Sequence, residues 1–338
     1  MRVLFIGDPH LKINRFDLAT KFLAWLNALI EEQRPDLVVN LGDTFDTHAV
    51  LRSEVMNEFM AHVYKTLDLG IPYVYLVGNH DMYKPNDARY HAMRPYKDKI
   101  KNLYVVDQIQ DLFEMTFVPF QPNGSTFPKQ TLPVCVAHQT FLGADYGTIR
   151  ATDGVDPASV QGAEVIISGH IHGKSVVGST VHYVGSPFSQ SASDVDQVKG
   201  ITIFRTDTFA QEFFECPLPS WRRLNHLITQ SDGIGELHDQ ICCRVSGSKD
   251  HWVLEIEGPK AEIVGYLGSE EYIKAIDGVD VKVKTKYTDK EKKKLSIESN
   301  SMEHIISEYV VKVYNGSLDK DKLKETAKAV LLESRTVK

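Results

Sequence analysis

Five short polar runs, each placed directly after a strand-like apolar stretch, hold the residues of this chain that can do chemistry. They are Asp8-x-His10, Gly42-Asp43-x-x-Asp46, Gly78-Asn79-His80-Asp81, His138 and Gly169-His170-x-His172. Strands of one sheet bring their ends together however far apart they lie in sequence, so Asp8, His10, Asp43, Asn79, His138, His170 and His172 can surround one pocket. All are oxygen or nitrogen donors and none is a thiolate, which favours Mn²⁺, Fe or Zn²⁺ over a soft ion. Seven donors exceed what one tetrahedral ion takes. They suit two ions sharing a carboxylate, with Asp43 as the natural bridge. Two divalent ions against the charges of Asp8 and Asp43 leave about +2, which attracts a phosphate and polarises its P–O bonds.

Each motif alone has an ordinary explanation. Asp-x-His is commonly a loop, and Asn-His-Asp fits an Asx turn. The ordered set, repeated at strand ends, is what points to a metal centre.

The elements that must position these residues read as an α/β core. Val3–Ile6, Leu37–Leu41 and Tyr73–Val77 have the continuous apolar character of buried strands. Between them, Leu18, Phe22, Trp25, Leu26 and Leu29 form one helical stripe, with Asp17 as its expected N-cap, and Val55, Met56, Phe59, Met60, Val63 and Leu67 form another. Short strands are expected within 103–120, then at Val134–Ala137, Val165–Ile167, Val181–Val184 and Gly200–Arg205, with 143–162 as a surface excursion. A boundary is expected at Cys216-Pro217-Leu218-Pro219. Beyond it, Ile241–Val245 and Trp252–Ile256 alternate like strands, Glu262–Leu267 reads as a short helix or strand, and 280–298 as two strands around a lysine-rich turn. Ser301–Tyr314 and Leu318–Leu332 read as two amphipathic helices with little core of their own.

Composition narrows the class. The 338 residues are 42% hydrophobic and 25% charged, with a net charge of −7, which is ordinary globular composition. No apolar run reaches the length of a membrane span, and the N-terminus lacks a signal-peptide layout, so no membrane association and a cytoplasmic location are expected. Four cysteines without a CxxC pair argue against a disulfide framework or a thiolate zinc site. The acidic balance does not exclude a local phosphate site, because the charge where the ligand sits decides binding.

The five ordered motifs resemble those of the calcineurin-like metallophosphoesterases over residues 1 to about 205. The resemblance implies a four-layer α/β fold, two β-sheets flanked by helices, with a dinuclear centre at the sheet ends. It implies one ion on Asp8, His10, Asp43 and His172, and the other on Asp43, Asn79, His138 and His170. His80 would face the scissile phosphate, as the residue that stabilises charge or protonates the leaving oxygen. Two divalent ions are expected, Mn²⁺ first, with Mg²⁺, Fe or Zn²⁺ as alternatives.

A narrower resemblance is to the SbcD-type DNA repair and recombination nucleases, bacterial or phage-encoded. It rests on Asp8-Pro9-His10-Leu11, on Gly42-Asp43-Thr44-Phe45-Asp46, on His138-Gln139, and on Gly185-Ser186-Pro187 with its Ser- and Asp-containing loop. It implies a nuclease domain at 1–205, a small α/β capping and DNA-binding domain at 215–298, and a helical segment at 301–338 that docks on an SMC-like ATPase. The expected partners are DNA, that ATPase subunit, and a second copy in a homodimer within a heterotetramer. Faces of the 50–67 helix and of residues 82–100 are candidates for the dimer surface. Relatives outside the bacterial and phage form carry a histidine three residues after the bridging aspartate, where this chain has Asp46. Asp46 is expected to orient a ligand or a neighbouring loop, and His48 is expected at the surface. Lys290–Lys294 is expected as a solvated turn, with contact to DNA phosphates as the alternative. Trp221-Arg222-Arg223 has the same two readings, packing or phosphate contact.

The function implied is metal-dependent phosphodiester hydrolysis of DNA, exonucleolytic, endonucleolytic or both. The alternatives are a phosphodiesterase or phosphatase for a small phosphate ester, and a scaffold subunit of an ATPase complex.

Overall fold

Side-chain alternation along the strands decides the layering. In a computed structural model, residues 1–288 are described except 49, 85–86, 123–126, 131, 148 and 230–232, and beyond them 319, 321–323, 325 and 326. The chain begins β1 (Arg2–Ile6), α1 (Phe16–Gln33), β2 (Leu37–Asn40), α2 (Ser53–Asp68), β3 (Tyr73–Leu76) and β4 (Leu103–Val106). It continues with β5 (Gln110–Leu112), β6 (Met115–Val118), β7 (Val134–His138), β8 (Val165–Gly169), β9 (Ser175–Val177) and β10 (Val181–Tyr183). β11 (Gly200–Arg205) and β12 (Gln211–Glu215) follow. One six-stranded sheet has the order β12-β11-β1-β2-β3-β4, the other β5-β6-β7-β8-β10-β9.

β1 to β4 run parallel, as do β6, β7, β8 and β10, so their carboxyl ends collect on one side of each sheet. Val3 and Phe5 of β1, with Val39, Val74 and Leu76, pack against Phe117, Val134, Val136 and Ile167 of the second sheet. The intervening Leu4 and Ile6 face the other way and join Phe22, Leu26 and Ile30 of α1 and Phe59 and Val63 of α2. Burying each such side chain contributes about 1.5–3 kcal/mol. Cys135, Ala137 and Ile166 on the second sheet's outer face are covered by Phe141 and by Ala144 and Val155 of the 143–162 excursion. The fold is therefore mixed α/β with two large sheets, as the family resemblance implied.

Beyond Pro219 lies a third sheet, β13 (Trp221–Leu227), β14 (His251–Gly258) and β15 (Val281–Tyr287), parallel throughout. Parallel neighbours need long crossovers, which α3 (Gly233–Arg244), α4 (Lys260–Leu267) and α5 (Glu270–Ala275) supply. Ile241–Val245 is thus the end of a helix rather than a strand. Leu237, Ile241 and Val245 recur every fourth residue and all are buried, so the helical period overrides the local alternation. Trp221 was not expected to open a strand. It is buried, while Arg222 pairs with Asp250 and Arg223 with Asp196, which favours packing over phosphate contact. Asp17 sits inside the first turn of α1, where it meets the helix dipole favourably, and makes no side-chain cap.

Residues 1–288 form one compact unit and 289–338 a second. In the latter, Asp319 accepts the N–H groups of Asp321 and Lys322 at the start of a helical stretch. The lysine turn 290–294, the end of the expected 280–298 strand pair, and nearly all of the 301–338 helical segment lie outside the described residues.

Candidate metal centre

The loops after the parallel strands turn sharply, and the turns fall on the chemical residues themselves. Asp8, His10, Asp43 and His170 have φ of +39°, +40°, +48° and +81°, a region that costs L-residues about 1–3 kcal/mol each. Each turn redirects a side chain from the strand axis into the common pocket. Gly78 shows why the crossing admits no bulk: a Cβ there would stand 2.3 Å from Asp43 Oδ1 and 2.5 Å from Asp43 N.

Two donor groups result, Asp8 with His10 and His172, and Asp43 with His138 and His170, the donor atoms within each lying within 4.8 Å of one another. In the first, His10 Nε2 and His172 Nε2 are 3.0 Å apart. In the second, Asn79 Oδ1 is 3.1 Å from His138 Nε2 and 2.9 Å from His170 Nδ1, and the two ring nitrogens are 3.2 Å apart. Donors about 2.1 Å from one ion stand roughly 3.0–3.4 Å from each other, so both groups fit a first-row divalent cation. His138 Nδ1 donates to the Leu41 carbonyl at 2.6 Å, which leaves Nε2 with its lone pair toward the pocket. Asp43 Oδ1 accepts the His80 backbone N–H at 2.7 Å, and its Oδ2 lies 3.4 Å from His138 Nε2 and 3.9 Å from His10 Nε2. One oxygen thus faces both groups.

The pocket's charge also calls for a cation. Asp8, Asp43 and Asp81 are all buried, and Asp8 Oδ2 has no hydrogen-bond partner. Burial drives the Asp8 pKa up to about 7. His138 is pushed up to about 9, burial opposing and the Asp43 charge prevailing. At Asp43 burial works upward, yet the adjacent His138 and His10 hold it below the ordinary range. His10 and His170, lowered to about 3 chiefly by burial, stay neutral, the form that coordinates metal. Buried carboxylates grouped with neutral His10 and His170, beside a His138 that Asp43 draws toward carrying a proton where a cation would stand, fit two shared cations.

His80 stands at the rim, half-buried. Its Nδ1 donates to the Asp46 carbonyl at 3.1 Å, and its ring meets His10 edge-on with centroids 4.8 Å apart. His48 is not a free surface residue: its ring stacks on His80 at 4.5 Å and 21°, and its Nδ1 lies 3.3 Å from the Met82 carbonyl. Spacing from Asp43 gave no hint of this, because the loop after Asp46 folds back over His80. Asp46 orients its surroundings, pairing with Lys12 at 2.7 Å while its carbonyl holds His80.

All eight residues expected at the site are brought together, and one further residue governs their geometry. Asp81 Oδ2 accepts the N–H groups of Asp43 and Gly78 at 2.8 and 2.9 Å, and its Oδ1 that of Thr44 at 2.9 Å. It ties the loop after β2 to the loop after β3. Its place in Gly78-Asn79-His80-Asp81 was the available signal, but a binding carboxylate and an orienting one look alike in sequence. A cavity of about 160 Å³ opens beside His170 and His172, and a second of about 650 Å³, lined by Lys174, His182 and Phe213, shares Asp145, Gly147 and Gly173 with it. Among the described residues no helix is long and apolar enough to cross a membrane.

Comparison with known proteins agrees with this geometry. Residues 1–174 match the calcineurin-like phosphoesterase family. Exonuclease subunit 1 of Enterobacteria phage T4 is 25% identical over 248 residues, 67% of this chain and 71% of that protein. Protein 078R of Invertebrate iridescent virus 3, which bears the name phosphoesterase, is 26% identical over 235 residues, 64% of this chain and 66% of its own length. The SbcD component of the SbcCD nuclease of Staphylococcus epidermidis is 22% identical over 210 residues, 52% of this chain and 56% of that protein.

Proposed function

This chain belongs to the calcineurin-like phosphoesterases, and from that premise we propose that it is a metal-dependent DNA nuclease acting in repair or recombination, as a subunit partnered by an SMC-like ATPase. The observation that carries the hydrolytic part is the pair of donor groups meeting on one oxygen of Asp43. DNA as substrate is supported by the phage exonuclease and SbcCD relatives, whose similarity extends over 67% and 52% of this chain. The remaining parts of the proposal are a capping role for 215–298, ATPase docking by 301–338, and a homodimer. Val50, Leu51, Tyr64, Tyr83 and Tyr90, in or beside the segments expected at the dimer surface, are exposed and would offer apolar side chains to a second copy.

Asp8, His10, Asp43 and His172 would hold one divalent cation, and Asp43, Asn79, His138 and His170 the other. Bound there, the pair supplies Lewis-acid polarisation of a phosphodiester and a nucleophile from water at neutral pH. The chain's own groups do the rest. Asp43 Oδ1 and the Asp46 carbonyl hold His80 by backbone and ring N–H, so the imidazole cannot swing away and Nε2 is the nitrogen available to the leaving oxygen. Strained turns at Asp8, His10, Asp43 and His170 fix the donors before substrate arrives.

The test is purified protein with Mn²⁺ on end-labelled single- and double-stranded DNA and on bis-p-nitrophenyl phosphate, beside His80→Asn. DNA cleavage that disappears in the variant is the expected result. Hydrolysis of the small diester with DNA untouched, even after addition of the ATPase, would move the assignment to a smaller phosphate ester. Inertness toward both substrates would leave a scaffold.

A further inference from the structure

Segment 185–199 gives no donor to the centre, yet it grips both loops that carry one half of it. Lys199 and Asp194 are 3% and 2% exposed and paired at 3.0 Å. Lys199 Nζ also donates to the His172 carbonyl at 2.6 Å, and lies 2.9 Å from Ser186 Oγ and 2.9 Å from Gln197 Oε1. The Ser186 N–H donates to the same His172 carbonyl at 3.0 Å. Asp194 Oδ2 accepts the N–H groups of Gln190 and Ser191 at 2.7 and 3.3 Å, and Gln190 Nε2 donates to the Pro9 carbonyl at 2.9 Å. Pro9 lies between Asp8 and His10. A continuous polar path therefore runs from the Asp8–His10 turn through Gln190, Asp194 and Lys199 to His172.

A buried ion pair is weak evidence for stability, since desolvating both charges offsets their attraction. The endpoints are what give this pair a role. Both ends fall on backbone carbonyls, of Pro9 and of His172, inside the turns that carry Asp8, His10 and His172. The other half has its own carboxylate, Asp81, which holds the turns of Asp43 and Gly78. Close approach is built in: Gly185 has φ of +77°, and a Cβ there would stand 3.0 Å from the His172 carbonyl oxygen.

We infer that Lys199 and Asp194 are positioning residues for the Asp8–His10–His172 half of the centre, setting the spacing of its donors and hence its affinity for a divalent cation. The inference rests on the two-metal reading above. Groups that orient ligands from behind typically change metal affinity by about 10–100-fold.

Mn²⁺ titration of the metal-stripped full chain, followed by electron paramagnetic resonance, tests it. Wild type should take two ions and show a spin-coupled pair. Lys199→Met should keep one ion near wild-type affinity, weaken the other about 10–100-fold, and replace the coupled spectrum by that of isolated Mn²⁺. Because this variant strands the Asp194 charge, the double variant Lys199→Met/Asp194→Asn separates folding from positioning. It should regain a wild-type melting temperature without regaining the second ion. Two ions with a coupled spectrum in either variant would overturn the inference, as would equal weakening of both ions. Wild-type protein that fails to bind two ions would instead refute the two-metal reading, and the inference with it.

Discussion

The carboxylate of Asp81 accepts the backbone N–H of Asp43 at 2.8 Å, so the residue that faces both donor groups is itself held from behind by a second aspartate. With Gly78 N–H on the same oxygen and Thr44 N–H on the other, Asp81 satisfies three buried donors. Asp81→Asn keeps the shape but turns one acceptor into a donor facing an N–H. It should destabilise the fold by about 1–3 kcal/mol and weaken metal binding, which urea titration and Mn²⁺ calorimetry would measure.

His80 carries a different expectation, because none of its contacts places it in either donor group. His80→Asn should leave Mn²⁺ stoichiometry unchanged and lower kcat for bis-p-nitrophenyl phosphate by about 10²–10⁴-fold. A variant within tenfold of wild type would remove His80 from proton transfer.

Asp43 faces both groups through one oxygen, so its loss should be felt in both. Asp43→Asn should reduce the bound metal from two ions to one or none by elemental analysis of the dialysed protein. Two retained ions would exclude a bridging role.

Gly78 is constrained by its neighbour rather than by its own backbone angle. The single methyl of Gly78→Ala would be driven against Asp43 Oδ1 and N at 2.3 and 2.5 Å. The chain must shift there, at about 1–3 kcal/mol, and carry Asp43 with it. A lowered melting temperature together with lost activity is expected, in contrast to Gly265→Ala in α4, where nothing lies within 4 Å and φ is not positive.

A pH effect should come from His62, far from the centre. It is buried between α1 and β3, with Nδ1 donating to Asn27 Oδ1 at 2.6 Å, and burial lowers its pKa to about 3. The unfolded chain takes up this proton below about 6.5, whereas the folded chain resists it until about pH 3. Its contribution is therefore complete above pH 6.5 and is lost as pH falls, at up to about 1.4 kcal/mol per pH unit. Between pH 7.5 and 5.5 wild type should lose about 1 kcal/mol more stability than His62→Gln, read from urea midpoints.

The chemistry was legible in sequence because it is local. A donor's identity and its place after an apolar run need only neighbouring residues, so Asp8-x-His10, Asn79-His80 and His170-x-His172 could be read directly. The β1, β2 and β3 runs and the α1 and α2 stripes followed from periodicity for the same reason. Local reading failed where the period was ambiguous, as at Ile241–Val245, and where a residue's role depends on something distant. His48 gained its place by stacking on His80, and Trp221 by being buried at the start of a parallel strand.

Donor types, their order and their strand-end positions were thus determined by the sequence by itself. Which donors share a group, which Asp43 oxygen faces both, and which residues hold the turns were decided only by tertiary structure. His10 meets His172 across 162 positions, and His170 meets Asn79 across 91. Sheet order brings them together, and sheet order is set by how whole apolar faces pack, a sum over many weak contacts that no single motif records. Asp81, Asp194 and Lys199 belong to the same class. Asp81 and Asp194 hold backbone N–H groups and Lys199 holds the His172 carbonyl, and backbone groups have no letter in the sequence.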